Sequence, residues 1–219
     1  MKKLKVLAVA LGAVAVTSSA LAIPTLTISD GLTSVTLNNA SGIVTYNNPT
    51  FDASWSVVIS TAETKPALGS AALPIMDINA QVTSMAATPQ RNLTISFSDV
   101  GFGPTASFAA ILSGHVIAGT GANVTYNTFY DALNSGNPVT SLTTSGTLPG
   151  PTYASTVGGG AIAANYSLTQ VITVNGSTTA GGSYSLDASL TGVVPDGGTT
   201  VMLLGAALSG LALLRRKIA

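Results

Sequence analysis

The chain has 219 residues, of which 46% are hydrophobic, 5% aromatic and 7% charged, with no cysteine. Its charged share is far below the roughly 25% of an ordinary soluble domain, so hydroxyls and amides must solvate the surface. The lack of cysteine excludes disulfides, thiolate nucleophiles and Cys-ligated metals.

The formal net charge is zero, but the charges are segregated. Lys2, Lys3 and Lys5 open the chain, and Arg215, Arg216 and Lys217 close it. Between Ile23 and Val194 there are seven acids (Asp30, Asp52, Glu63, Asp77, Asp99, Asp131 and Asp187) and two bases, Lys65 and Arg91. Such a body lacks the basic stripe that neutralises phosphates, which excludes nucleic acid as a partner.

Residues 1–22 read as a secretory signal peptide, an N-terminal signal helix ahead of the body. Lys2, Lys3 and Lys5 form the positive start, Val6 to Val16 the apolar stretch, and Ala20-Leu21-Ala22 an A-x-A cleavage site. Cleavage after Ala22 would begin the mature chain at Ile23. The implied partners are the Sec machinery and signal peptidase.

From Ile23 the dominant period is two, the mark of half-buried strands. Leu26 and Ile28 share one face, as do Val35 and Leu37. Phe51, Ala53, Trp55, Val57 and Ile59 alternate strictly, and Leu93, Ile95 and Phe97 follow suit. Further on come Val124, Tyr126, Thr128 and Tyr130, then Tyr166, Leu168, Ile172 and Val174 with Gln170 interrupting, then Tyr184, Leu186, Ala188 and Leu190. Threonine fills many polar positions, where its branched Cβ suits the pleat. Turn residues recur between these runs, at Asp30-Gly31, Ser41-Gly42, Asn134 to Pro138 and Asn175-Gly176.

The pattern predicts an all-β body of roughly ten short strands, an antiparallel β-sandwich or jelly-roll-like fold over residues 23–193. The run from Val171 to Leu190 looks like a hairpin. "SFAAILSGHVIAG" fits either a turn or two of helix or a buried strand. Residues 146–160, rich in Gly and Pro, read as a long loop.

Catalytic chemistry is hard to find. His115 is the only histidine. It lies in an apolar context without G-x-S-x-G, so a structural or solvent-facing role is expected rather than a triad. One histidine is too few for the usual zinc sites. Two carboxylates suffice for glycoside hydrolysis, and these are available, but only one tryptophan is present for sugar stacking. The chain reads as a non-enzyme, with a glycan-active hydrolase as the residual alternative. No cofactor is expected. Asp30, Asp77 and Asp99 sit beside turn residues and suggest calcium only weakly; Asx hydrogen bonding within the turns is the preferred reading.

The chain ends on Val194, Pro195, Asp196, Gly197 and Gly198, an uncharged apolar run over 199–214, and the basic stop Arg215, Arg216 and Lys217. The run is a short transmembrane helix by length, near the lower limit of about 17 residues for a span. The cations stay cytoplasmic by the positive-inside rule, leaving the body outside. The tail, residues 194–219, is predicted to be a sorting signal that holds the chain in the membrane while a protease reads the turn.

This order of turn, apolar helix and basic stop resembles the PEP-CTERM class of sorting signals, in its VPDSG-like variant. Pro195 matches the motif proline and Asp196 the acidic position, while Gly197 stands where the variant's name has Ser. The resemblance implies processing by an exosortase-like membrane protease of a Gram-negative bacterium. It also implies a destination at the cell surface or in the extracellular matrix, and exopolysaccharide as a candidate partner. The expected role is structural or adhesive; the alternative is a carbohydrate-binding module or glycan-active enzyme.

Overall fold

The computed structural model describes residues 23–85, 91–176, 181–193, 204–205 and 208. Twelve strands form the body: β1 (Thr25–Ser29), β2 (Ser34–Asn38), β3 (Ile43–Asn48), β4 (Trp55–Glu63), β5 (Ile75–Ser84), β6 (Leu93–Phe102), β7 (Ser107–Ala118), β8 (Val124–Asp131), β9 (Thr140–Leu148), β10 (Thr152–Gly159), β11 (Tyr166–Val174) and β12 (Ser183–Val193).

They make two six-stranded sheets, ordered β2-β1-β6-β11-β8-β9 and β10-β7-β12-β5-β4-β3. Every pairing is antiparallel. From β5 onward the chain passes repeatedly between the sheets, giving β10-β7-β12-β5 over β6-β11-β8-β9. That is jelly-roll connectivity, with β1–β2 and β3–β4 added as hairpins at one side.

The period-two residues are the reason the sheets stack. Leu26, Ile28, Leu93, Ile95, Phe97, Tyr126, Leu168 and Ile172 of one sheet are buried with Trp55, Val57, Met76, Ile78, Leu112, Tyr184, Leu186 and Leu190 of the other. Each apolar face loses its water only against the other, which is the main driving force for this architecture. The alternate residues stay half-buried or exposed, as in the iBiBi pattern of β1.

The structure decides one open reading and corrects others. Of the two readings for the 107–118 segment, the strand holds: it is β7, a central strand between β10 and β12. Gly114 permits it, because a Cβ there would collide with the Ser185 carbonyl of the neighbouring strand. Residues 146–160 are not one loop. β9 runs to Leu148 and β10 begins at Thr152. Of the glycines that suggested a loop, Gly159 sits at a close approach, since a Cβ there would lie 2.9 Å from Leu142 and 3.1 Å from Phe108. The 171–190 segment is not a hairpin, because β11 and β12 lie in opposite sheets. Both strands are flanked on either side within their own sheet, and alternation alone does not distinguish a hairpin from a crossover. Ala53 is exposed in the turn before β4 rather than on its inner face.

The two flanking helices expected from the sequence fall on residues outside the described ones, save Leu204, Gly205 and Leu208. These three have helical backbone and are exposed. Among the described residues no helix is long and apolar enough to cross a membrane.

Candidate functional site

The two cations of the body each hold an acid. Lys65 follows β4 and places its ammonium 2.6 Å from Asp99 Oδ2 on β6, 4.2 Å from the centroid of the Phe102 ring. Thr64 Oγ1 and the Val100 N–H also donate to the Asp99 carboxylate, at 3.0 and 2.8 Å. Burial pushes the Asp99 carboxyl above its ordinary range, against the pull of Lys65 and of the other donors.

Arg91, just before β6, donates to Asp30 Oδ2 at 3.2 Å. Asp30 Oδ1 accepts the N–H groups of Leu32 and Thr33, closing the β1–β2 turn. Asp52 closes the turn before β4 in the same way, accepting from Ser54 and Trp55. The two carboxyls hydrogen-bond each other. Burial would raise both, but the bonds from Asp52, Thr33, Leu32 and Arg91 hold Asp30 far below the usual carboxylate range. Asp52 is raised by burial and by the Asp30 charge. The cluster joins Asp30 and Arg91 to Trp55, whose indole N–H donates to the Arg91 carbonyl at 2.9 Å.

Three acids gather on the outer face of the second sheet. Glu63 on β4 stands opposite Asp77 on β5, and Asp187 on β12 lies on the diagonal, opposite Asn79. The Asp77 carboxyl is pushed up to about 6, by burial first and then by the negative charges of Asp187 and Glu63. Such a group changes charge near neutrality, which makes this patch the most chemically responsive place on the body. Of these three acids only Asp77 stood out in the sequence. A signal for Asp77 and Asp187 was present, since each sits on the polar phase of its strand, whereas Glu63 falls on the phase of Trp55, Val57 and Ile59 and reaches the outer face only through the register shift between Ile59 and Thr61.

These positions revise the calcium reading. Asp30 and Asp99 are taken up by turn N–H groups and the two cations. Asp77 lies within β5 and not in a turn. Among the described residues no three His, Asp or Glu side chains are placed to hold a metal ion. His115 is exposed on β7, opposite Thr152 and Ser185. Among the described residues no hydrogen bond joins it to a serine or a carboxylate.

Inside the core, the Tyr126 hydroxyl donates to Gln170 Oε1 at 2.5 Å and lies 3.1 Å from the Ser189 carbonyl of the facing sheet. Gln170 is fully buried, and its Nε2 has no partner among the described residues. Gln170 thus occupies an inward position between Leu168 and Ile172, which explains its interruption of the apolar alternation.

Of the terminal sites, Ile23 is described and exposed. Ala20, Ala22, the motif Val194–Gly198 and the basic stop Arg215, Arg216 and Lys217 lie outside the described residues. Comparison with protein families fills part of that gap. A family model described as the VPDSG-CTERM motif matches residues 193–218. No curated protein matches the chain. Among solved structures, an arabinose-bound α-L-arabinofuranosidase (MgGH51) is 15% identical with a TM-score of 0.35, covering 68% of this chain and 25% of that one. Tailspike protein 4 of bacteriophage CBA120 is 10% identical with a TM-score of 0.38, covering 70% and 22%. The module TmCBM61, in complex with β-1,4-galactotriose, is 11% identical with a TM-score of 0.33, covering 62% and 86%. The chain spans about a quarter of the length of the first two. Likenesses of this size say nothing about what it binds. The comparisons thus add one functional finding, that the chain closes on a sorting motif, which suggests an exported protein.

Proposed function

We propose that this chain is an exported surface or extracellular-matrix protein with a structural or adhesive role, sorted through its tail. The observation that carries the reading is the motif match over 193–218, which coincides with the turn, apolar run and basic stop of the sequence. Residues 1–22 act as the signal peptide, 23–193 as the β-sandwich body and 194–219 as the sorting tail. The tail helix over 199–214 anchors the chain in the inner membrane, with Arg215–Lys217 on the cytoplasmic side. An exosortase-like protease then reads Val194–Gly198. Pro195 fixes φ near −65° and holds the segment extended; Asp196 adds a charge at the membrane surface. Gly197 and Gly198 let the backbone approach the protease closely. The body needs no catalytic role in this scheme.

The test is Pro195→Ala with Asp196→Ala, which leaves the helix and the cations intact. Insertion should be normal and processing abolished, so the chain accumulates uncut in the membrane. Processing like that of the unaltered chain would reduce the tail to a plain anchor.

A second reading, glycan binding on the outer face of the second sheet, is favoured by the Glu63–Asp77–Asp187 patch beside Asn79. These groups offer the hydrogen-bonding oxygens and amide that sugar hydroxyls require. A glycan array decides it: binding that Asp77→Asn and Asp187→Asn abolish supports this reading, and an empty array removes it.

A further inference from the structure

The four edge strands differ in how they are protected. Unpaired edges invite pairing with another chain, and proteins blunt them by shortness, bulges or charge. β2 has only five residues. β3 shifts register against β4 between Val44 and Tyr46. β9 shifts twice against β8. β10 carries none of these devices. Its eight residues pair with β7 in one unbroken register, from Thr152 opposite His115 to Gly159 opposite Phe108. It contains no charged residue, and none occurs anywhere between Asp131 and Asp187.

The hydrogen-bond phase of this edge follows from one bond. The Val116 N–H donates to the Pro151 carbonyl, and these two residues continue the same register. Pro151 and the odd-numbered residues after it therefore direct their main-chain groups toward β7. The N–H and C=O groups of Thr152, Ala154, Thr156 and Gly158 then point away from the sheet. Among the described residues nothing pairs with them.

We propose that β10 pairs antiparallel with β10 of a second copy of this chain, joining the two β10-edged sheets across a two-fold axis. Charge selects this partner. The body is acidic, with seven acids against two bases, so two copies repel at most of their surface. The uncharged β10 edge is a place where they meet without like charges opposed. Geometry selects the register. The edge has its free groups on alternate residues, so Thr152 must face Gly158 of the other copy and Ala154 must face Thr156. Ser155 then faces itself on the axis. All four outward residues exchange their bonds in that register, which is a self-complementary, closed interface. The side chains brought together on the outer surface are small (Thr with Gly, Ala with Thr), so the strands approach without a clash.

The test uses the absence of cysteine from the chain. In the proposed register the Ser155 pair is of the non-hydrogen-bonded kind, with Cα atoms about 4.5 Å apart. That lies within the range a disulfide spans, about 4.4–6.8 Å. The full chain carrying Ser155→Cys should run as a dimer on a non-reducing gel after mild oxidation and as a monomer after reduction. Thr36→Cys on the β2 edge should stay monomeric. Adding Ala154→Lys and Thr156→Lys, which sets lysines opposite each other, should abolish the cross-link while the circular dichroism spectrum stays that of a β protein. The proposal is overturned if Ser155→Cys cross-links no more than Thr36→Cys, if the lysines change nothing, or if the disulfide joins a different protein. Should Ser155→Cys misfold, sedimentation decides instead. The unaltered chain must have the mass of a dimer and the double-lysine variant that of a monomer; an unaltered monomer refutes the interface.

Discussion

Gln170→Met should stabilise the fold, although it removes a buried hydrogen bond. The Gln170 side chain is fully buried and its Nε2 has no partner among the described residues. Leaving such a group unsatisfied costs about 1–3 kcal/mol. Methionine follows a similar unbranched path and is adaptable enough to fill the site. The bond from Tyr126 to Gln170 Oε1 is lost, but the phenolic proton still has the Ser189 carbonyl at 3.1 Å. Losing a neutral bond whose donor is re-used costs about 1 kcal/mol at most. The balance is a gain of about 1 kcal/mol, or about 2–4 °C in Tm for a body of this size. Tyr126→Phe alone should do the opposite. It leaves the Gln170 amide wholly unpaired and the Ser189 carbonyl without this donor, a loss of about 1–3 kcal/mol. In the Gln170→Met background the same change should cost about 1 kcal/mol less, and a double-mutant cycle reads that coupling. Trp55, the only tryptophan and fully buried, reports urea unfolding by its fluorescence. A Gln170→Met variant destabilised by more than about 1 kcal/mol would mean the amide is satisfied in the fold, and would refute the reasoning.

Other outcomes follow from the polar contacts. Asp77 has its folded pKa raised to about 6, so between the ordinary carboxylate value of 3.8 and that value the folded state binds the extra proton. Stability should therefore fall as pH rises through this window, and Asp77→Asn should flatten that part of the Tm profile and raise Tm at pH 7. A carbon-detected titration of the Asp77 carboxyl with its midpoint at the ordinary value would contradict this. Lys65→Met strands the Asp99 carboxylate, whose side chain is fully buried, and should cost about 3–5 kcal/mol in urea unfolding. Lys65→Met with Asp99→Leu should recover much of that loss; if it does not, the pair matters for more than charge compensation. Replacing Ala20 and Ala22 by bulky residues should leave an uncleaved precursor in the membrane on an immunoblot, and mature-sized protein would remove the signal-peptide assignment.

Much of the body was legible because one physical signal dominates it. Alternation in "TLTIS", "NLTISFS" and "SYSLDASL" placed Leu26, Ile28, Leu93, Ile95, Phe97, Leu186 and Leu190 on the inner faces, and all are buried. The signal fails where side chains are too small to carry a period. Ala109, Ala110 and Gly114 left β7 ambiguous, and the two glycines closing β10 disguised a strand as a loop. Strand partners were illegible for a different reason. Alternation fixes a strand's faces but not its neighbours, so β11 and β12 read as a hairpin while lying in opposite sheets. The same limit hid the meeting of Glu63, Asp77 and Asp187, which are far apart along the chain and adjacent only through register. Turn chemistry was more local. The Asx bonds of Asp30 were readable from "SDG", whereas the Lys65–Asp99 and Arg91–Asp30 pairs were not.

The central claim, that residues at both ends direct export and sorting, is tested most directly by intact-mass analysis of the protein recovered from the cell surface and matrix. The account predicts a chain that starts at Ile23 and ends at or close to Val194–Gly198, without the apolar run of 199–214 and without Arg215–Lys217. Recovery of surface protein that still carries 199–219 would contradict it.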